Sequence, residues 1–197
     1  MKKTIFLSLG ILLVAVSSCK EVKKETNEAS EDMNNDVMEV TEEKVDSTET
    51  ITFTMEPKSD SGVTGEVTFT QEGDKVKMMA ELTGLSEGEH AIHIHEKADC
   101  SAADGTSTGG HWNPTFQPHG KWGAEEGYHK GDIGNLTADA DGNATVEFET
   151  EEWCLGCNEE AKNIIGKAVI VHQGVDDFKT QPTGDAGARV SCTGIIQ

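Results

Sequence analysis

Histidines recur along this chain at spacings that suit a metal ion. The stretch HAIHIHE at residues 90–96 contains His93 and His95 on either side of a single isoleucine. In a β-strand they share one face, because side chains alternate between faces, so both imidazoles can reach one ion. Ile92 and Ile94 share the other face, which we expect to point inward while the histidines point outward. The pair alone does not distinguish a metal site from two histidines that are merely exposed or hydrogen-bonded and bind no metal.

More metal-binding side chains follow in a long stretch rich in Gly, Pro, Asp and Asn, between His95 and Asp132. Long ordered loops are usually functional. Histidine is the commonest ligand for borderline metals, and carboxylates complement it. This stretch therefore favours a metal centre over an isolated histidine pair. Its histidines, in GGHWNP, PHG and YHKGD, are His111, His119 and His129, and His172 in VIVHQG follows later in the chain.

Short strands must position these side chains. Apolar and polar residues alternate around residues 51–55, 67–69, 76–82 and 146–148, which is the period of a half-buried strand. Turn sequences separate them: EGD at 72–74, SEGE at 86–89 and DGN at 141–143. Several short antiparallel strands at this spacing predict an all-β sandwich or flattened barrel.

The chain has 197 residues and a formal net charge of −20. Its length allows one ordinary domain and an additional segment. Nucleic acid is disfavoured as a partner, because phosphate backbones are bound by clustered Lys and Arg.

The N-terminal residues 1–18 have the layout of a secretory signal, with two lysines, an apolar run and small residues before Cys19. The sequence VSSC resembles a bacterial lipobox, which implies cleavage before Cys19 and attachment of lipid to that cysteine. A plain signal peptide with an unrelated cysteine, or a short uncut anchor, is the alternative.

Residues 19–50 are predicted to be a disordered acidic tether. From residue 20 to 50 there are eleven acids against four lysines and no aromatic residue, too little apolar surface to offset the ordering entropy. An acidic recognition tail is the alternative. The folded domain is therefore predicted to span residues 51–197.

From about residue 51 to the C-terminus, the sequence resembles the copper/zinc superoxide dismutases, especially the secreted bacterial members. The resemblance rests on HIHEKADC, GGHWNP with His119 eight residues on, HKGDIGN, VIVHQGVDD and GDAGARVSC. It implies an immunoglobulin-like Greek-key β-sandwich with long metal-binding and electrostatic loops. The implied copper ligands are His93, His95, His111 and His172. The implied zinc ligands are His111, His119, His129 and Asp132.

The donor types agree with these metals. Four imidazoles suit copper, whereas three imidazoles and one carboxylate suit a closed tetrahedral zinc site. His111 can serve both metals because imidazole has two ring nitrogens. Asp176 resembles the carboxylate that links a copper histidine to a zinc histidine in the family, here His93 and His119. His90 is left over, and we expect it to be a packed structural residue.

Arg189 in GARVSC matches the family arginine that attracts superoxide to the copper, and an anchor for a loop is its alternative role. Pro182 stands where some relatives have a lysine. Other candidate cations for the channel through which superoxide would reach the copper are Lys121, Lys130 and Lys179.

The five cysteines indicate an oxidising compartment. Cys100 and Cys192 match the family disulfide. Cys154 and Cys157, in WCLGC, depart from the family pattern. A small local disulfide is our interpretation of that pair, with free or mixed thiols, or a redox or extra metal site, as alternatives. Cys19 is left for lipid.

The resemblance implies dismutation of superoxide to oxygen and hydrogen peroxide by copper that alternates between Cu(II) and Cu(I), bridged through His111 to a structural zinc. The alternatives are a copper-binding or copper-delivery lipoprotein without catalytic activity, and an adhesive sandwich domain. The predicted location is the cell envelope, periplasmic or extracellular, with lipid on Cys19 in the membrane. Both a monomer and a homodimer are compatible with the sequence.

Overall fold

The computed structural model describes residues 48–197, which contain eight β-strands and a short 3-10 helix, Thr106–Thr108. In chain order the strands are β1 (Glu49–Pro57), β2 (Thr64–Glu72), β3 (Lys75–Thr83), β4 (Gly88–His95), β5 (Gly134–Ala138), β6 (Ala144–Thr150), β7 (Ala168–His172) and β8 (Arg189–Gly194). Within this described part, no helix has the length and apolar character needed to cross a membrane.

The strands form a nearly closed, flattened barrel in which every neighbouring pair is antiparallel. Its order is β5-β4-β7-β8-β1-β2-β3-β6. β8 joins β1 through the pairs Glu56↔Cys192 and Pro57↔Ser191, and β5 lies against β6 at the opposite side. β6 returns to pair with β3 after β4 and β5 have paired elsewhere, as in a Greek key. The predicted all-β sandwich or flattened barrel is confirmed.

The period-two pattern of the sequence explains which side chains fill the barrel. Val67 and Phe69 in β2 and Met78 in β3 are fully buried, and partly or fully exposed residues alternate with them along both strands. Ile92 and Ile94 of β4 belong to the same core, as expected. In β7 all five residues are buried, because the strand lies between β4 and β8 and is covered on both faces.

Two long connections form the outer layer over β4 and β7. The first, residues 96–133, contains the short 3-10 helix and is called here the metal loop. The second, residues 173–188, is called the electrostatic loop. The disulfide Cys100–Cys192 joins the metal loop to β8, with a Cα–Cα distance of 6.0 Å across a sequence separation of 92. These loops carry most of the side chains predicted to do chemistry.

The second cysteine pair also forms a disulfide. Cys154–Cys157 closes a turn with a sequence separation of 3 in the connection between β6 and β7. An isolated bridge pairs Cys154 with Asn163, so this turn is tied to the rest of the same connection. Of the three interpretations of WCLGC, the structure has the local disulfide.

The predicted signal at residues 1–18, Cys19 and the tether as far as residue 47 lie outside the described residues. The strand β1 begins at Glu49, so Glu49 and Thr50 belong to the barrel rather than to the tether. The reason is pairing, since Glu49 lies opposite Gln71 and Thr50 opposite Thr70 on β2.

Candidate metal centre

Backbone hydrogen bonds dock the metal loop against the last residues of β4, beyond the end of its pairing with β5. Ile94 donates its N–H to Gly131 O at 2.9 Å and accepts the Trp112 N–H at 2.8 Å. A Cβ on Gly131 would lie 2.2 Å from Ile94 O, so only glycine allows this approach. A β-bridge pairs His95 with His111. The metal loop thus brings His111 beside the H-x-H pair of β4.

A β-irregularity positions the last histidine. The pairing between β7 and β8 shifts register between Val171 and His172, and it places His172 opposite Arg189. Bulges of this kind redirect side chains and are common beside functional sites. His172 and Arg189, seventeen residues apart in sequence, therefore lie side by side at the ends of two strands.

Four buried histidines converge on one point. One ligand atom from each of them lies within 4.8 Å of those of the other three, and we call this group the four-histidine cluster. Its buried nitrogens without a hydrogen-bond partner are His93 Nδ1 and the Nε2 atoms of His95, His111 and His172. Buried polar atoms are rarely left unpaired in folded proteins. Four such lone pairs facing one another fit a bound metal ion.

The opposite ring nitrogens in this cluster have acceptors. His93 Nε2 donates to Asp176 Oδ2 at 2.9 Å, and His95 Nδ1 donates to Gly109 O at 3.0 Å. His172 Nδ1 donates to Gly187 O at 3.3 Å. Because one nitrogen of each ring carries the proton in its hydrogen bond, the other presents its lone pair inward.

A second cluster shares His111. His111, His119, His129 and Asp132 are all buried, and one ligand atom from each lies within 4.8 Å of the others. We call this group the His3Asp cluster. The carboxylate of Asp132 lies 2.8 Å from His111 Nδ1, 3.0 Å from His119 Nδ1 and 3.3 Å from His129 Nδ1. Three imidazole nitrogens around one carboxylate match the tetrahedral donor set of a structural zinc site.

Burial keeps the four-histidine cluster uncharged. It lowers the pKa of His111 to about 4 and that of His172 to about 3. It also lowers the pKa of His93, and takes that of His95 well below the usual range of histidine. These imidazoles are neutral at pH 7, which is the form that binds a metal.

The His3Asp cluster has the opposite electrostatic character. Burial works against the charge of Asp132, but the surrounding histidine N–H groups hold its pKa well below the usual range. Burial also works against a charged His119, yet the carboxylates of Asp132 and Asp176 outweigh it and raise the pKa of His119 to about 9. Metal binding there would displace a proton from His119, so affinity would rise with pH.

Asp176 connects the two clusters. Its Oδ2 accepts from His93 Nε2 and its Oδ1 from His119 Nε2, both at 2.9 Å, and the side chain is buried. A Cβ on Gly184 would lie 1.9 Å from Asp176 Oδ1 and 2.7 Å from His119 Nε2, so glycine is required where the electrostatic loop passes. This carboxylate orients one ring of each cluster.

Residues 63–196 match the sequence pattern of the family described as copper/zinc superoxide dismutase (SODC). The chain belongs to this family. The copper/zinc superoxide dismutase of Caulobacter vibrioides is 39% identical over 137 residues, which cover 68% of this chain and 78% of that protein. The cofactors of the family, copper and zinc, fit the two donor sets: four neutral imidazoles for copper, and three imidazoles with a carboxylate for zinc.

Solved structures agree with the family. The crystal structure of a SOD-like protein from Bacillus subtilis has a TM-score of 0.66 and 28% sequence identity, and the match covers 74% of this chain and 97% of that one. The crystal structure of a double mutant of a SOD-like protein from the same organism has a TM-score of 0.66 and 30% identity over the same shares.

One expectation from the sequence is wrong. His93 and His95 do lie on the face of β4 opposite Ile92 and Ile94, but they are fully buried rather than directed to solvent. The metal and electrostatic loops cover that face, with Gly109 and Asp176 as the contacting residues. His90 is also buried: its Nδ1 donates to His172 O at 3.0 Å and its Nε2 is hydrogen-bonded to Ser86, as expected for a packed structural residue.

In this dismutase-family chain, Arg189 is bound to the metal loop. Its Nη1 donates to Gly105 O at 2.7 Å and to Thr108 Oγ1 at 2.9 Å, and its Nη2 donates to Gly109 O at 2.7 Å. The same guanidinium contributes to the lowered pKa values of His95 and His172, after burial. Arg189 therefore anchors a loop and also lies within electrostatic reach of the four-histidine cluster.

The other cations considered for the channel have different surroundings. Lys130 forms an ion pair with Glu152, so its charge is compensated. Lys121 and Lys179 line a cavity of about 770 Å³ beside His119, on the side of the His3Asp cluster, together with Glu126.

Sequence reasoning missed Gln181. Its side-chain amide binds both backbone groups of His119: Oε1 accepts the His119 N–H and Nε2 donates to His119 O, each at 2.8 Å. The two residues are 62 positions apart, and no motif or period connects them. Only the approach of the electrostatic loop to the metal loop reveals this contact.

Proposed function

We propose that this chain catalyses the dismutation of superoxide, in which two superoxide anions and two protons give one dioxygen and one hydrogen peroxide. The observation that carries the proposal is His111, whose imidazole belongs to both clusters. Its Nε2 is among the unpartnered nitrogens of the four-histidine cluster, and its Nδ1 contacts Asp132 of the His3Asp cluster. The four histidines would hold copper, which would supply the one-electron couple that the reaction needs, and the His3Asp cluster would hold zinc, which would keep the metal loop in place.

His111 is proposed to act as the proton carrier. Its Nδ1 stays on the side of Asp132, so its Nε2 is the nitrogen that can hold a proton next to the substrate and release it. Family membership supports this role of a bridging imidazole.

Arg189 is proposed to attract superoxide. The guanidinium is partly exposed and remains cationic at neutral pH, and three hydrogen bonds to the metal loop hold it in one orientation. A fixed cation beside the four-histidine cluster raises the local concentration of a small anion. A net charge of −20 makes such a local positive field necessary for rapid capture.

The experiment that tests this function measures metal content and superoxide decay on the same preparation. The parent is expected to bind one copper and one zinc per chain and to remove superoxide catalytically. His111→Ala should abolish the activity and reduce the retention of both metals, because this residue alone belongs to both clusters of the described chain. If the parent holds both metals but shows no activity, the copper-carrier alternative is favoured. A carrier needs no zinc site, so the presence of the His3Asp cluster argues against that alternative.

We propose further that the mature chain is anchored in the cell envelope through lipid on Cys19. The motif VSSC supports this, and so does the cysteine count: of five cysteines, four are in the two disulfides, which leaves Cys19 outside both pairs. Two disulfides also support an oxidising compartment, periplasmic or extracellular. Both a monomer and a homodimer are compatible with the sequence, and the sedimentation of detergent-solubilised protein distinguishes them.

The anchor is tested in the full chain by labelling with a radioactive fatty acid. Cys19→Ala should lose the label and leave the membrane fraction, whereas Ser18→Ala, which keeps the cysteine, should retain both. If Cys19→Ala is cleaved at the signal and still stays in the membrane fraction to the same extent as the parent, lipid on this residue is not the anchor.

A further inference from the structure

One carboxylate contacts both chain neighbours of a proposed zinc ligand. Glu152 lies just after β6, and its Oε1 accepts the hydroxyl of Tyr128 at 2.6 Å. Its Oε2 accepts from the Lys130 ammonium. Tyr128 and Lys130 stand immediately before and after His129, which belongs to the His3Asp cluster. The two oxygens of Glu152 therefore hold the segment on both sides of this histidine.

The residue next to Glu152 makes a third contact to the same segment. Trp153 donates its indole Nε1–H to Lys130 O at 2.8 Å, and it is only 1% exposed. Its ring packs against Trp122 and Phe148, with centroid distances of 5.9 and 4.9 Å, and Trp122 in turn packs on Tyr128 at 4.9 Å. Side chains of two adjacent residues thus fix the backbone and the side chains that flank His129.

We infer that Glu152 is a positioning residue for the zinc site, acting through Tyr128 and Lys130 on His129. This inference rests on the proposed assignment of zinc to the His3Asp cluster. The residues around His129 belong to no helix or strand, so these side-chain contacts add to the few backbone hydrogen bonds, such as Asp132 N–H to His129 O, that limit their motion. A ligand that is already held in place loses less conformational entropy when the metal binds.

The environment of Glu152 distinguishes it from an ordinary surface ion pair. The side chain of Lys130 is 14% exposed and that of Glu152 is 35% exposed, whereas the Lys75–Glu149 pair is 46% and 55% exposed. Exposed pairs contribute little, because solvent screens the charges and long side chains lose entropy. Glu152 instead combines a partly buried ion pair with a hydrogen bond from Tyr128, and both converge on one carboxylate.

The test compares Glu152→Gln with Glu149→Gln in the full chain. The second variant removes the carboxylate of an exposed ion pair near the end of β6, shortly before Glu152, so it is a matched control. Zinc affinity is measured by competition with a chromophoric chelator, and copper affinity is measured separately. Glu152→Gln should weaken zinc binding about 10-fold, as for other outer contacts of metal ligands, and leave copper binding within about twofold. Glu149→Gln should change neither affinity.

A spectroscopic measurement separates positioning from a general loss of stability. Cobalt(II) bound in place of zinc reports the ligand geometry through its visible absorption bands. These bands should shift or broaden in Glu152→Gln and in the double variant Tyr128→Phe, Lys130→Met, and remain unchanged in Glu149→Gln. The role of Glu152 would be overturned if the cobalt bands and the zinc affinity were unaltered both in Glu152→Gln and in the double variant. Failure of the parent itself to bind zinc would instead overturn the zinc assignment.

Discussion

Asp176 Oδ2 lies 2.9 Å from His93 Nε2, and this contact joins the electrostatic loop to the strand that carries the H-x-H pair. The other carboxylate oxygen makes the same contact with His119. A single buried side chain therefore sets the ring orientation of one histidine in each cluster. Both of its oxygens must be acceptors, because each faces an imidazole N–H.

Asp176→Asn should weaken both metal sites. An amide has one acceptor and one donor, so one of the two histidines would face an N–H group instead of an oxygen. We expect copper and zinc affinity to fall by about 10- to 100-fold, the usual range for loss of an outer contact. Metal content after dialysis against a chelator measures the effect.

The control for this change is Asp177→Asn. Asp177 is exposed, and its Oδ1 accepts the backbone N–H groups of Lys179 and Thr180, which an amide oxygen can also accept. Metal content should therefore match the parent. Full retention of both metals in Asp176→Asn would mean that this bridge does not orient the ligands.

Arg189→Ile should lower the superoxide rate about tenfold at low salt, the lower end of the effect of electrostatic focusing. Arg189→Lys should recover part of the rate, since the charge remains while the planar donors to Gly105 and Gly109 are lost. The measurement is stopped-flow decay of superoxide at two salt concentrations, with metal content determined on each sample. A rate in Arg189→Ile equal to that of the parent at low salt would contradict the attracting role.

The two disulfides should differ in their contribution to stability. In the chain-entropy account, stabilisation grows with the length of the closed loop, and the sequence separations here are 92 for Cys100–Cys192 and 3 for Cys154–Cys157. Replacing the first pair by serine should lower the free energy of unfolding by about 4–5 kcal/mol, and replacing the second by about 1.5 kcal/mol. Urea denaturation of the metal-free variants measures both values, and the reverse order would contradict this account.

Acid should destabilise the metal-free protein between pH 6.5 and pH 5. Burial lowers the pKa of His111 to about 4 and that of His172 to about 3, against about 6.5 in the unfolded chain. Above pH 6.5 both states are unprotonated. As the pH falls, the unfolded state binds protons first, so each residue lowers the free energy of unfolding by about 2 kcal/mol at pH 5.

The raised pKa of His119, about 9, acts in another range. Its contribution is complete below pH 6.5 and is lost only as the pH rises toward 9, so it adds no slope between pH 6.5 and 5. Denaturation of the metal-free parent and of His172→Gln at pH 7 and pH 5 provides the measurement. The variant should lose less stability on acidification, and an equal loss in both proteins would contradict the assignment.

Much of the barrel was predictable because its signals are local. The alternation through Val67, Phe69 and Met78 follows from a period that each strand shows by itself, and the turn sequences between strands are read directly. The donors of both clusters were predicted through the family resemblance that their motifs carry, and the chemistry of copper and zinc agrees with those donor types.

The tertiary structure decided what long-range packing controls. Whether His93 and His95 face water depends on loops that fold back over β4, and the contact of Gln181 with His119 joins residues 62 positions apart. Likewise, Glu152 reaches Tyr128 and Lys130 only because the connection after β6 packs beside the metal loop. Such contacts have no sequence period, because a loop's path is fixed by the surfaces it meets rather than by its own local pattern. The sequence by itself determined which residues could bind the metals, and the tertiary structure decided which of their atoms face one another and which other residues hold them in place.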